Sequence, residues 1–450
     1  MRTFVLGLAL SSIGLASAPA VASAQPVPPS AGNAPVPVIT LKEAISRAKA
    51  NEPAFATAAA ASKVGALGVS IARSALLPNV IYHNQFLYTQ SNGSLIPGGT
   101  GITVSAPRFV ANNGVHEYTS QASVSETIGL QQFTAVSRAS AAAAVASANV
   151  EIARRGLVAT VVGLFYTSLA SEDKVAVARR AAAEADSFVA LAEQREAARE
   201  GAHADVVKAQ LQQQQRSRDV ADALALAQKA HLDLGVLLFP NPRVSYTLAT
   251  ATTPPQLPAR ADVEAAASRH NPELQSALAS LRQSGLDVTA ARAAYLPDLA
   301  LNFSYGIDAL QFAKRGPDGT RNLGYSASAT LDIPVWDWFS TQHRVKQSEI
   351  LRDAARVTLT ATQRRLIAEL DEFYTEAATA RSQLESLDLS VRTAAESLRL
   401  TRLRYTAGEA TSLEIVDAEN SLTLAEMARE DGIVRYQMSL ANLQMLTGTI

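Results

Sequence analysis

The sequence predicts a mixed α+β chain, mostly α, in which long helical rods alternate with two hairpins of strands. Three observations lead there. Prolines and glycines recur in register between the two halves of the 450-residue chain, long stretches lack both residues, and two segments in the second half change from helical to period-two alternation. Asn51-Glu52-Pro53 and Pro78 repeat as His270-Asn271-Pro272 and Pro297 at one constant spacing. Between them Ala72-Arg73-Ser74-Ala75-Leu76-Leu77-Pro78 lies over Ala291-Arg292-Ala293-Ala294-Tyr295-Leu296-Pro297. Further on, Glu126 to Leu130 lies over Asp332 to Trp336, Gly201 is set against Gly408, and Asp205-Val206-Val207 against Glu414-Ile415-Val416. Similarity between generic helical sequences would not hold breakers in register, so one architecture used twice is expected.

Residues 1–24 read as a secretory signal: Arg2, an apolar stretch from Phe4 to Leu15, then Ala22-Ser23-Ala24 before Gln25. Residues 25–38 are Pro-rich and suggest an extended tether. The first repeat is placed at 39–239, a linker at 240–261 and the second repeat at 262–450. Thr40 to Ser74 and Ala261 to Ala294 are helical runs, each closed by a proline. After the second, Leu299, Leu301, Phe303, Tyr305 and Ile307 alternate with small or polar residues, and so do Leu323, Tyr325, Ala327, Ala329 and Leu331. Strands are therefore expected near 298–308 and 323–333, turning at Gly316-Pro317-Asp318-Gly319. In the first half, strands near 79–90 and 116–128 rest mainly on the repeat, with a Gly-rich loop from Ser91 to Val115 between them. Ser340 to Ala407 holds neither Gly nor Pro, enough for a rod of roughly 100 Å at 1.5 Å per residue. Leu384, Leu387, Val391, Ala394 and Leu398 step by three and four along it, as a coiled-coil seam does. Gly408 ends that rod and Leu413 to Leu446 runs back; Thr134 to Glu200 and Ala204 to Leu238 do the same in the first half.

Composition narrows the function. With 40 Lys plus Arg against 41 Asp plus Glu, the chain has no polybasic surface for nucleic acid. Without cysteine there is no thiol nucleophile, disulfide framework or cysteine-ligated metal. The six histidines are scattered, and no Gly-x-Ser-x-Gly elbow, His-Glu-x-x-His pair or phosphate-cradling loop occurs, so no enzyme, cofactor or metal site is expected. No segment after the signal reads as a membrane-spanning helix; Gly156 to Ser171 is too short and bracketed by charges. Membrane entry would then fall to the strands. Four of them cannot close a barrel, whereas three chains would pool twelve around a lumen lined by Asn302, Ser304, Ser326, Ser328 and Thr330. Trp336 and Trp338, just past the fourth strand, sit where interfacial aromatics belong.

The run Leu41 to Pro78, its second copy to Pro297, and Arg404-Tyr405-Thr406-Ala407-Gly408 through Leu413-Glu414-Ile415-Val416-Asp417-Ala418 resemble the TolC-like outer-membrane efflux factor family. That resemblance implies a homotrimer with a 12-stranded transmembrane β-barrel, four strands per chain, continued by a periplasmic α-helical barrel. It implies an exit duct without chemistry of its own, working with a periplasmic adaptor (membrane fusion) protein and an inner-membrane efflux transporter or ABC exporter. It also places the turn at Gly408 at a periplasmic gate that opens by an iris-like helix rearrangement, with Tyr405 as latch, Asp205 as its acidic partner, and Glu414 and Asp417 as two carboxylate rings. Two departures bear on the latch: Ala410 stands where the family has an arginine, and the first-copy turn from Gly201 to Asp205 is read as two residues shorter. Physics offers a second account of Glu414 and Asp417, because acids are favoured at a helix N-terminus. The alternative to the duct is a periplasmic coiled-coil scaffold or adaptor without a pore, which would have no use for two apolar-faced hairpins.

Overall fold

The structure, a computed structural model, describes residues 36–88, 116–249 and 255–449. The signal segment, most of the Pro-rich stretch and the Gly-rich loop lie outside the described residues. In chain order the elements are β1 (Val38–Ile39), α1 (Leu41–Asn51), α2 (Pro53–Ser74), β2 (Asn79–Tyr88), β3 (His116–Ile128), α3 (Leu130–Ala197) and α4 (His203–Leu238). The second half continues with β4 (Thr247–Leu248), α5 (Arg260–His270), α6 (Pro272–Ala293), β5 (Asp298–Ala309), β6 (Leu323–Asp332), α7 (Ser340–Thr406) and α8 (Ser412–Thr447).

The helical runs break where proline forbids continuity. Pro53 and Pro272 take the first position of α2 and α6, where a missing N–H costs nothing. Glu52 and Asn271 cap those starts through their side chains. Where α7 begins, Trp338 and Phe339 both adopt left-handed backbone (φ 54° and 64°), and the Asp337 carboxylate accepts the Thr341 N–H at 2.7 Å.

Four of the strands form one antiparallel sheet in the order β2-β3-β5-β6. Its register keeps like with like: Phe303 faces Ala327 and Val124, Tyr305 faces Tyr325 and Ala122, and Ser304 faces Ser326 and Ser123. One face therefore carries Val80, Tyr82, Phe86, Val124, Leu301, Phe303, Tyr305 and Tyr325, almost all exposed. The apolar face is not wholly apolar. Tyr82, Ser120 and Asn84 fall on it, and Ser120 Oγ lies 2.9 Å from the tyrosine hydroxyl and donates to Asn84 Oδ1 at 2.7 Å. Among the described residues β2 pairs only with β3 and β6 only with β5, so both sheet edges are open.

Below the sheet the helices form a layer around α3. Its N-terminal half packs on α2 and α6: Gly65 lets α2 approach Ala143 closely, and Arg138 meets Asp287 at 2.5 Å. Its C-terminal half packs on α4 and α8, with Lys174 on Asp431 and Arg180 on Glu426. α7 repeats this, pairing with α6 through Arg292–Glu349 and then with α8 through Asp388–Arg429. Leu384 and Leu398 of the α7 seam are buried, with Leu387, Val391 and Ala394 half-buried. The largest core lies at mid-length, where Val158, Val161 and Phe165 of α3 meet Leu234 and Leu238 of α4. There β1 pairs parallel with β4, tying the end of the Pro-rich stretch to the linker; two-residue strands leave no alternation to read in the sequence.

By length and composition alone α2 and the first long rod, α3, would be long and apolar enough to cross a membrane, which the sequence reading did not anticipate for any segment. Alanine and glycine raise their hydropathy. The apolar window of α3 is more than half buried inside the protein, and α2 runs within three residues of a turn into β2.

Candidate functional site at the paired helical turns

Each long hairpin ends in a turn with the same hydrogen-bond pattern. Ala407 N–H reaches Leu403, Gly408 reaches Tyr405 and Glu409 reaches Arg404; correspondingly Ala198 reaches Gln194, Arg199 reaches Glu196 and Glu200 reaches Arg195. The left-handed position is Gly408 (φ 81°) in one turn and Arg199 (φ 60°) in the other. Structurally Arg199 is thus the counterpart of Gly408, and Asp205 the counterpart of Glu414. This corrects two sequence readings: Gly201 is not the partner of Gly408, and the two turns have the same length. The first turn places a side chain where steric strain favours glycine, and no sequence signal marks it.

Tyr405 is 5% exposed, closed in by Phe188, Val206 and Ile415 from three other helices. Its ring meets Phe188 edge-on at 5.6 Å, and the Arg195 guanidinium lies over it at 4.7 Å while donating to the Tyr405 carbonyl at 2.6 Å. Burial pushes its hydroxyl pKa upward, against the pull of Arg195. Asp205, the acid expected to hold Tyr405, instead accepts a 2.5 Å hydrogen bond from Ser412 Oγ. That bond fastens the start of α8 to the start of α4, so in this chain Asp205 joins turn to turn. Ala410 packs its methyl against the same apolar cluster.

Glu414 is the third residue of a capping box. Its carboxylate accepts the Thr411 N–H at 3.1 Å, the Thr411 hydroxyl accepts the Glu414 N–H, and Arg404 sits 3.1 Å away. The Thr411 backbone, more than any other partner, holds its pKa below the usual carboxylate range. Asp417, one turn along the same face, is exposed and has no side-chain partner among the described residues. Trp336 and Trp338 stack edge-on at 5.8 Å, and Trp338 is 81% exposed.

The sequence reading missed a polar layer about one to four turns away from the helical turns. There Arg402 of α7 binds Glu184 of α3 and also Glu419 of α8, at 3.1 Å for the latter. Arg216 of α4 binds Asp219 and Asn420. Arg216 and Glu419 are both buried, and burial raises the Glu419 pKa. The only signal was charge at positions where the seam should be apolar. Among the described residues no group of three or more His, Cys, Asp or Glu is placed to hold a metal ion.

Residues 264–449 match the outer membrane efflux protein family. Outer membrane protein OprJ of Pseudomonas aeruginosa is 27% identical over 172 residues, 38% of this chain and 36% of OprJ. The matched part thus spans about a third of that relative's length. A solved membrane protein from Pseudomonas aeruginosa superposes with a TM-score of 0.78 at 20% identity, covering 92% of this chain and 91% of the other. The outer membrane channel CmeC of Campylobacter jejuni gives 0.76 at 15% identity, covering 91% and 85%. These superpositions, at identities of 15–20%, show the fold alone, and the family match lies in the second half of the chain.

Proposed function

We propose that this chain, a relative of the outer membrane efflux proteins, is one subunit of an outer-membrane exit duct for efflux of small molecules or for secretion. The observation that carries the reading is the four-stranded sheet, which among the described residues has an uncovered apolar face and two open edges and is continuous with helices of 67 and 68 residues. An open edge cannot face lipid, because unpaired backbone groups there find no water. The edges must pair with those of other copies. Opposite flanks of the helical layer agree: α2 exposes Val64, Leu67 and Ile71, and α7 exposes Ile350, Val357 and Ile367. Unlike flanks that join head to tail generate a ring. A homotrimer of this duplicated chain would hold twelve strands, with the Ser304 and Ser326 face lining the lumen and Phe303 and Tyr325 facing lipid. Trp336 and Trp338 would then sit at the interface.

The paired turns form the periplasmic mouth, gated around Tyr405, Asp205 and Gly408. Threefold symmetry brings the Glu414 and Asp417 carboxylates into two rings that favour cations. Nothing in the channel supplies energy, so a periplasmic adaptor and an energised inner-membrane transporter or ABC exporter complete the system. The signal segment directs the chain out of the cytoplasm. A scaffold or adaptor without a pore predicts different fractionation. On this account the protein stays in the outer-membrane pellet after high-salt and alkaline washes and migrates as an oligomer until heated; release by salt as a soluble monomer would favour the scaffold.

A further inference from the structure

A groove runs between α4 and α8 over α3 and widens into a recess of about 720 Å³, a volume within the range of small-molecule sites. On α4, Asp222, Leu226, Lys229 and Asp233 follow at steps of four, three and four, so they share one helix face. Leu424 and Met427 of α8 form the other wall, and Leu164 of α3 lies between them. Leu226 and Leu424 are 62% and 67% exposed, two large apolar side chains left uncovered on the two walls.

The side on which the recess opens follows from α8. Asp417, Leu424 and Asp431 are spaced by seven residues, close to two helical turns, and all three are exposed. The apolar wall at Leu424 therefore shares its face with Asp417, and on the exit-duct reading that face is the lumen.

Charge decides what the recess can hold. Lys174 is taken by Asp431 and Arg216 by Asp219 and Asn420. Lys229 is left with two carboxylates, Asp222 and Asp233, and none of these three has an ion-pair partner among the described residues. With Asp431 counted, four carboxylates stand against three cations, so the site is short of one positive charge. Arg216, 8% exposed, spends its Nη groups on Asp219 and Asn420, and its buried Nε–H has no acceptor. A buried donor left open is costly, and an oxygen brought in by a bound molecule would relieve it. Apolar walls, a missing positive charge and an unspent donor together describe one kind of occupant.

We propose that this recess is a binding site for an amphiphilic organic cation that carries an oxygen acceptor, its apolar body between Leu226 and Leu424 and its charge toward Asp222 and Asp233. The proposal rests on the exit-duct reading, which supplies the lumen. It adds a place within the helical barrel where cargo pauses.

The test titrates the full-length assembly in lipid nanodiscs with rhodamine 6G, a cationic xanthene ethyl ester, and with fluorescein ethyl ester, which keeps the ring skeleton and the ester but is anionic at neutral pH. Fluorescence anisotropy is read against empty nanodiscs, which removes partition into lipid. Two partly exposed charge contacts together amount to about tenfold in affinity. Rhodamine 6G should bind saturably to the wild type and about tenfold more weakly to Asp222→Asn/Asp233→Asn. Leu226→Ser/Leu424→Ser, which alters only exposed positions, should weaken it as well, and fluorescein ethyl ester should show no saturable binding. Absence of saturable rhodamine 6G binding, equal binding of the two dyes, or unchanged affinity in either double variant overturns the proposal. The same preparations are recorded in planar bilayers: conductance without dye binding removes the site and leaves the duct, whereas a wild-type assembly that inserts and never conducts would overturn the duct reading itself.

Discussion

Arg199 occupies a backbone conformation that its counterpart in the second turn, Gly408, adopts freely (φ 60° and 81°). A side chain there costs about 1–2 kcal/mol relative to glycine, partly offset by the entropy glycine loses on folding. Arg199→Gly should therefore raise unfolding free energy by about 0.5–1 kcal/mol and Gly408→Ala lower it by a similar amount, both read from denaturant midpoints. The C-terminal end of α8 offers a sharper case. Gly448 has φ 77°, and a methyl there would collide with the Arg155 guanidinium. Arg155 also donates to the Met445 carbonyl at 3.1 Å and, with Arg154, binds Glu151. Arg154 foremost, then Arg155, holds the Glu151 pKa down to about 2 against the opposing effect of burial. A carboxylate with a depressed pKa contributes stability above its unfolded value of 4.5 and loses it as pH falls toward 2. Thermal midpoints should drop over that window, and Glu151→Gln should flatten the drop. At the proposed mouth the two acids should separate. Glu414 is engaged by Thr411 and Arg404 while Asp417 is exposed and unpaired among the described residues, so Asp417→Ala should weaken block by divalent cations more than Glu414→Ala. Equal effects in conductance titrations would contradict that division.

At the scale of the element, the alternating faces of β5 and β6 were legible because alternation over ten or more residues has no helical equivalent. The rods were legible from missing breakers and from the seam at Leu384, Leu387, Val391, Ala394 and Leu398. The turn alignment was not. Gly201 was the visible glycine, yet the left-handed residue is Arg199, and strain leaves no mark in composition. Nor was the bond from Ser412 to Asp205, or the Arg402 layer, since each joins residues far apart in sequence. Registers predict what substitution should do in the sheet. Arginine at Phe303, on the apolar face, should cost about 2–4 kcal/mol if that face meets lipid near the midplane. Ser304→Arg, on the opposite face, should fold normally and shift selectivity toward anions. Refolding into lipid vesicles, followed by ion-selectivity recordings, separates the two; equal destabilisation would place both residues in protein contact.

As a whole molecule the chain exposes surfaces that other copies would cover on the proposed reading. Among the described residues the sheet lacks partners on both edges, α2 and α7 expose apolar flanks, and the two hairpins meet at turns joined by Ser412–Asp205 and Arg195–Tyr405. On the proposed reading a twelve-stranded ring would satisfy the edges. The sequence could suggest this from strand number and polarity, but the complementary flanks needed the fold. The measurement that tests the central claim most directly is single-channel recording of the purified protein in a planar bilayer. Stepwise, cation-preferring conductance from an oligomer is the predicted result. Protein that remains monomeric, or that oligomerises and inserts yet never conducts in any variant, would contradict it.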